Sequence, residues 1–375
     1  MKNADNQFYK RLMLEIFANL SNQYSDNYSE SRFGKRRKPS WKSRLKAAVK
    51  KKLGVKEYIE NSQLVAFNHL SSYFDGLACV YDTLTDEASK TLLIQVVTFR
   101  ILGDRKYKLP LSTPAYFAGV RAIEALKDTS DYLKVTFVGQ LIISLYRYDL
   151  NQIGIPLKMY YKASGLYSNI YIRQYEYRTE GVVVKPEEGD VVLDCGACWG
   201  DTALFFANDV GSGGHVYSFE FVKENVEMFN KNLELNPEHK KRITLVPYPL
   251  GEESGQEISF VKNGPGSRLI YDESLLGDQE KVKTISIDEF YVQYQPTKID
   301  FIKMDIEGAE RHALAGCKNL FQNCQKLDFA ICTYHLHDDE AVISAFLDKH
   351  NCTYTNQKGF FRHKIRSVVM RGSKS

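Results

Sequence analysis

Three carboxylates fall within six residues at Asp305-Ile306-Glu307-Gly308-Ala309-Glu310, directly behind the run Phe301-Ile302-Lys303-Met304, and Tyr334-His335 follows the next apolar run, Leu327 to Cys332. Acids and an imidazole gathered at the ends of neighbouring strands can take a proton from a weakly acidic hydroxyl. A base so placed accelerates such a reaction roughly 100- to 10,000-fold. His335, with an unperturbed pKa near ~6.5, is the slightly favoured base. Asp305 is the other candidate, and could equally hold the acceptor hydroxyl or position a cofactor. Glu307, Glu310 and Lys303 are expected to contact substrate or to support these two. Plainer readings stand beside these: His335 as a surface-loop histidine like His337, and Glu310 as an acid serving the dipole of its own helix. The spacing of the acids demands no metal ion, and none is expected.

A second group, Val191 to Thr202, reads Val-Val-Leu-Asp-Cys-Gly-Ala-Cys-Trp-Gly-Asp-Thr. Gly196 and Gly200 let a backbone turn approach a ligand, and the following helix offers its N-terminal amides. An ammonium could pair with Asp194 while a carboxylate meets the amides; a pyrophosphate would be repelled by the acid. The spacing D-x-G-x-x-x-G also lacks the three glycines of a dinucleotide fingerprint. The next strand, Gly214 to Phe219, ends in Glu220, where an acid accepts the hydrogen bonds of a ribose diol. Asp194, Gly196, Ala197, Gly200 and Glu220 are therefore the expected contacts of an adenosine bearing an amino-acid tail. Cys195 and Cys198 spell C-x-x-C, but they already occupy this turn, and zinc would need a second ligand pair.

Presenting both groups on one edge requires strands that alternate with helices, and from Val182 onward short β-branched runs do alternate with amphipathic stretches. That pattern implies βαβ units and a parallel sheet covered on both faces. Cys352 to Thr355 and Ile365 to Arg371, either side of Gly359, are expected to close it as a hairpin. The earlier chain reads as helical. Phe8, Leu12, Ile16 and Leu20 fall four apart, and Ser21 to Phe33 reads as a linker. From Tyr58 to Leu150 the pattern stays helical, with Thr83 and Asp86 as a capping box and the face Leu92, Leu93, Val96, Val97 and Ile101 ending at Gly103. The expected organisation is an N-terminal helix and linker over 1–34, a basic helix and helical domain over 35–155, and an α/β domain over 156–375.

A length of 375 residues suits two domains, and 43% apolar with 26% charged residues suits a folded soluble protein. The absence of a signal-like segment and of a membrane-length apolar run points to the cytoplasm, where seven cysteines stay reduced. The net charge of +4 is local: Lys35 to Lys52 holds ten Lys or Arg and no acid, which leaves 40 basic against 46 acidic residues elsewhere. Nucleic acid is therefore not an expected partner. Trp41, Leu45, Val49 and Leu53 recur every four residues among the lysines, the outline of a basic helix. It would lie at the inner face of a membrane over 35–53, or pack on the helical domain.

The linked motifs, namely the Asp194 turn, Glu220, Thr284-Ile285-Ser286-Ile287-Asp288-Glu289-Phe290, Lys303 to Glu310 and Tyr334-His335, resemble the signature of FkbM-type methyltransferases over roughly Gln174 to Gly372. The resemblance implies an α/β, Rossmann-like class I methyltransferase fold: a mostly parallel sheet, helices on both faces and a C-terminal antiparallel hairpin, here preceded by a helical domain. It further implies S-adenosyl-L-methionine as methyl donor and a hydroxyl of a sugar, polysaccharide or related natural product as acceptor. Tyr175 resembles a tyrosine that precedes the first motif in related enzymes, and would reach the cofactor carboxylate or pack in the core. Cys195, Cys198 and Trp199 depart from the usual turn, where smaller or amide-bearing residues are more common. A cofactor-fold scaffold without turnover and an NAD-dependent oxidoreductase are the rival readings; neither accounts for Lys303 to Glu310.

Overall fold

The computed structural model describes residues 6–24, 27, 61–109, 114–137, 141–179, 182–271, 279–361 and 364–374. The basic segment 35–53 and most of the expected linker lie outside them. The chain divides into two compact units between Ala118 and Gly119. No helix among the described residues is long and apolar enough to cross a membrane.

The first unit holds helices α1 (Gln7–Asn19), α2 (Asn61–Ser71), α3 (Phe74–Thr83) and α4 (Glu87–Leu102). Asn6 caps α1 by accepting the Phe8 amide at 2.8 Å, and the expected stripe of Phe8, Leu12 and Ile16 is buried. Phe8 meets the rings of Phe74 and Tyr81 on α3. Helix α4 starts differently from the expected capping box: Asp86 is itself the cap, accepting the Ser89 amide at 2.7 Å, while Thr83 turns back to the Val80 carbonyl. Gly103 ends α4 at φ 79°, as its position predicts.

The helical reading fails beyond α5 (Pro114–Glu124), inside which the division between the units falls. Residues β1 (Lys127–Phe137), β2 (Leu141–Asp149) and β3 (Lys158–Tyr161) form an antiparallel sheet of order β1-β2-β3 within the second unit. The reason lies in the pattern. Leu133, Val135 and Phe137 alternate with Lys134 and Thr136, a period of two that a helix cannot bury on one face. A short hairpin of β4 (Tyr177–Thr179) and β5 (Val182–Val184) follows.

The main sheet comprises β6 (Val191–Cys195), β7 (His215–Phe219), β8 (Ile243–Val246), β12 (Phe301–Met304), β13 (Leu327–Cys332), β14 (Thr353–Phe361) and β15 (Lys364–Lys374), while β9 (Glu257–Val261), β10 (Arg268–Ile270) and β11 (Lys281–Lys283) form a small separate sheet. The seven strands run in the order β14-β15-β13-β12-β6-β7-β8. Pairing is parallel from β13 through β8, and β15 is antiparallel to β13. Helices α6 (Asp201–Asp209), α7 (Lys223–Glu234), α8 (Ile287–Tyr294), α9 (Glu310–Ala315), α10 (Lys318–Asn323) and α11 (Asp339–Lys349) complete the layers. Successive strand residues face opposite cores, as a covered parallel sheet requires. Val192 and Phe301 pack with Ala203, Leu204 and Phe206 of α6 on one side. Leu193, Ile302 and Met304 pack with Phe290, Leu314 and Ile343 on the other. This is the Rossmann-like class I methyltransferase arrangement. Its strand order reverses between β6 and β12, which opens a crevice at their C-terminal ends.

Candidate active site

The turn after β6 is built around close backbone approach. Gly196 has φ 87°, and a Cβ there would lie 2.1 Å from the Asp305 carbonyl oxygen, so only glycine lets the two strand ends come together. Gly200 has φ 83° and faces the Phe229 ring. The Gly196 and Ala197 amides both donate to the Phe219 carbonyl, at 3.2 and 3.0 Å, and so tie the turn to the end of β7. Asp194 differs from its expected role. Its carboxylate is 0% exposed, receives the Thr202 hydroxyl at 2.8 Å and lies 3.1 Å from Lys303 Nζ, its direct neighbour in the β6–β12 register. It is thus placed to secure the turn from beneath, without facing the cleft. Lys303 also donates to the Cys195 and Gly196 carbonyls, at 3.1 and 2.7 Å. Burial pulls the Lys303 pKa down, but the carboxylates of Asp194 and Asp305 outweigh it and hold it above the usual lysine range.

Glu220 ends β7, buried, and accepts the Phe221 and Val222 amides on Oε1, both at 2.8 Å, with Asn225 Nδ2 3.3 Å from Oε2. Burial raises its pKa to about 7 against the pull of these bonds. Glu220, Gly196, Asp305 and Glu307 line one cleft, together with Tyr248 and Arg268. Ala197 and Gly200 shape the turn behind it.

The acids after β12 meet the residues after β13. Asp305 Oδ2 accepts the Tyr175 hydroxyl at 2.7 Å, and Oδ1 accepts that of Tyr334 at 3.1 Å. Tyr175 is therefore both buried and part of the site, where it also lies 5.2 Å from Lys303 Nζ. Glu310, 0% exposed, folds its carboxylate over the preceding turn and accepts the Ile306 amide at 2.9 Å and the Gly308 amide at 3.1 Å. Its Oε1 is also 2.9 Å from His335 Nδ1. His335 is a buried group, not a surface-loop histidine. Its Nε2 lies 3.4 Å from Asp305 and 3.8 Å from Glu307. Burial alone would lower its pKa, but Glu310, Asp305 and Glu307 raise it to about 9. The surrounding carboxylates thus favour the protonated ring. Glu307, at the left-handed φ of 56°, has its pKa raised by burial and by neighbouring acids.

The structure adds residues that the sequence reading missed. Tyr334 was read only as part of a motif; Asn225, five residues after Glu220, had a signal in its spacing. Arg268 and Tyr248 lie in regions whose patterns indicate no ligand.

Residues 194–353 match the model of the Methyltransferase FkbM domain. Over 163 residues the chain is 27% identical to the Hexuronic acid methyltransferase AglP of Haloferax volcanii, a match covering 44% of this chain and 63% of that relative's length. Among solved structures, the Methyltransferase FkbM from Methylobacillus flagellatus KT has 14% identity over 89% of this chain and 71% of that one, with a TM-score of 0.41. Aeropyrum pernix fibrillarin with natively bound S-adenosyl-L-methionine has 14% identity over 52% and 70%, with a TM-score of 0.32. The match to the Methyltransferase FkbM domain thus runs from the end of β6 to the start of β14, the part of the chain that holds the cleft.

Proposed function

We propose that the second unit transfers a methyl group from S-adenosyl-L-methionine to a sugar-type hydroxyl. The observation that carries this reading is the single cleft shared by Gly196, Glu220, Asp305 and Glu307, at the C-terminal ends of β6, β7 and β12. Its residues fit the cofactor: Glu220 is a buried carboxylate with capacity left on Oε2 for a diol, and Gly196 lets the backbone turn lie against the end of β12 at the cleft. Glu220 would hold the ribose, and the turn from Gly196 to Gly200 the amino-acid end. When bound, the sulfonium supplies an electrophilic methyl carbon, which the acceptor oxygen attacks in line as the carbon–sulfur bond breaks.

The chain's own residues position the acceptor and receive its proton. Glu307 faces the cleft with a raised pKa, and is the better base; Asp305, fixed between two tyrosine hydroxyls, orients the hydroxyl. His335 Nε2 lies between the two carboxylates, 3.4 Å from Asp305 and 3.8 Å from Glu307. The match to a hexuronic acid methyltransferase supports a carbohydrate acceptor, and Arg268 beside Glu307 offers a cation for an acceptor carboxylate.

The test is calorimetric titration with S-adenosylhomocysteine and with NAD⁺, then transfer of labelled methyl from S-adenosyl-L-methionine to glucuronic and galacturonic acids and their neutral hexoses. Micromolar binding of the homocysteine compound with label on a uronic acid is expected. Binding of NAD⁺ instead would overturn the reading.

A further inference from the structure

His335 is buried with one ring nitrogen against a carboxylate and the other turned toward two more. Its side chain is 8% exposed, and Nδ1 faces the buried Glu310 at 2.9 Å. Glu310 is in turn anchored by two turn amides, so the ring orientation is set from behind. Neither ring nitrogen makes a hydrogen bond of good geometry among the described residues, so Nδ1 is held by its proximity to the Glu310 carboxylate alone. Nε2 points toward Asp305 Oδ1 at 3.4 Å and Glu307 Oε1 at 3.8 Å, both longer than the roughly 2.7–3.2 Å of an ordinary bond. An imidazole with one nitrogen held by a carboxylate and the other turned toward further ligands is the arrangement of metal-binding histidines.

We propose that His335 Nε2, Asp305 and Glu307 bind one divalent first-row transition cation, with Glu310 as a positioning residue. One donor atom from each of the three lies within 4.8 Å of the others, a span slightly wider than the ~4.2 Å between opposite ligands of an ion ~2.1 Å from each donor. At that radius the two measured separations subtend angles of roughly 108° and 130°, compatible with an open site. Three carboxylates against one imidazole leave an excess of negative charge that a doubly charged ion neutralises. Two oxygens and one imidazole nitrogen suit Mn²⁺, Fe²⁺ or Zn²⁺ better than Mg²⁺. The Glu307 backbone is left-handed, at φ 56°, a strained conformation for a non-glycine residue that functional turns retain. Asp305 and Glu307 also line the cleft, so the open positions of the ion would face an acceptor hydroxyl and increase its acidity. That consequence rests on the methyltransferase reading; the site itself does not.

The test is titration of Mn²⁺ into the full chain, followed by loss of the free-ion electron paramagnetic signal, with nitrogen coupling read by pulsed methods. One ion per chain, at micromolar to tens-of-micromolar Kd with ¹⁴N coupling, is expected. His335→Gln should remove the coupling. Glu307→Gln, at a half-exposed position that leaves the core intact, should weaken binding tenfold or more. No saturable binding at millimolar Mn²⁺, or binding unchanged in both variants, would overturn the site. Titration with S-adenosylhomocysteine in parallel separates the two ideas: Mn²⁺ binding without it leaves the cation site standing and removes the methyltransferase reading, and the converse does the opposite.

Discussion

Glu220 gives the cofactor reading a signature in pH. Burial raises its carboxyl to about 7, above the ordinary 4.5. The ligand-free protein is therefore stabilised below the ordinary carboxylate pKa, and loses that contribution as pH rises through about 7. A ribose diol donates hydrogen bonds and so selects the ionised form, which reverses the sign for binding. If only the carboxylate binds, the observed Kd scales as one plus the ratio of protonated to ionised Glu220, and affinity for S-adenosylhomocysteine falls about tenfold from pH 8 to pH 6, or ~1.4 kcal/mol. Calorimetry at pH 6, 7 and 8 in two buffers of different ionisation enthalpy measures both this change and the release of about half a proton at pH 7. Glu220→Gln should bind about 1.5–3 kcal/mol more weakly at high pH, the range for a bond to a charged group, and should show no such pH slope. A flat wild-type profile, or a slope that survives in Glu220→Gln, would refute the assignment of Glu220 to the ribose.

Three further substitutions test the framework. Gly196→Ala forces a Cβ against the Asp305 carbonyl at a positive φ; strain of about 1–3 kcal/mol should lower the melting temperature and weaken S-adenosylhomocysteine binding at least tenfold, both by calorimetry. Lys303→Met leaves Asp194 charged and buried without its partner, and urea unfolding should show a loss of about 3–5 kcal/mol. Asn232→Ala removes bonds to the Tyr160 amide at 2.7 Å and the Trp199 carbonyl at 2.8 Å; a loss of about 2–3 kcal/mol in the same assay is expected from the groups left unpaired.

The strands carrying the site were legible because their local and tertiary demands agree. Val191 to Cys195 and Phe301 to Met304 are buried on both faces and apolar but for Asp194 and Lys303, and Asp305 marks where β12 leaves the core. The sheet over 127–161 was legible only in the alternation of Leu133, Val135 and Phe137 with Lys134 and Thr136, a stretch too short to outweigh the helical reading of its neighbours. Asp194 shows a different limit. Its type and position suggest a ligand contact, but the spacing along the chain gives no sign that Lys303, 109 positions later, pairs with it across the register. The proton affinity of His335 was not legible either: it depends on neighbours that the fold supplies, here Glu310 and Asp305.

Trp199 joins the atypical turn to the sheet that the sequence reading missed. A bulky ring would be exposed in a turn of this kind, yet it is 2% exposed because Leu145 of β2 and Met228 of α7 pack against it, with Phe137 and Tyr161 as neighbouring rings. Its indole donates to Asn225 at 3.2 Å, and Asn225 in turn reaches Glu220. Asn232 bonds both the Trp199 carbonyl and the β3 backbone. The β1–β3 sheet, the turn and the buried Glu220 are thus linked by two asparagines on one helix, α7. An unusual residue in a binding motif here marks a layer added over the turn, and the place to look for its cause is the segment with no counterpart in the motif, β1 to β3.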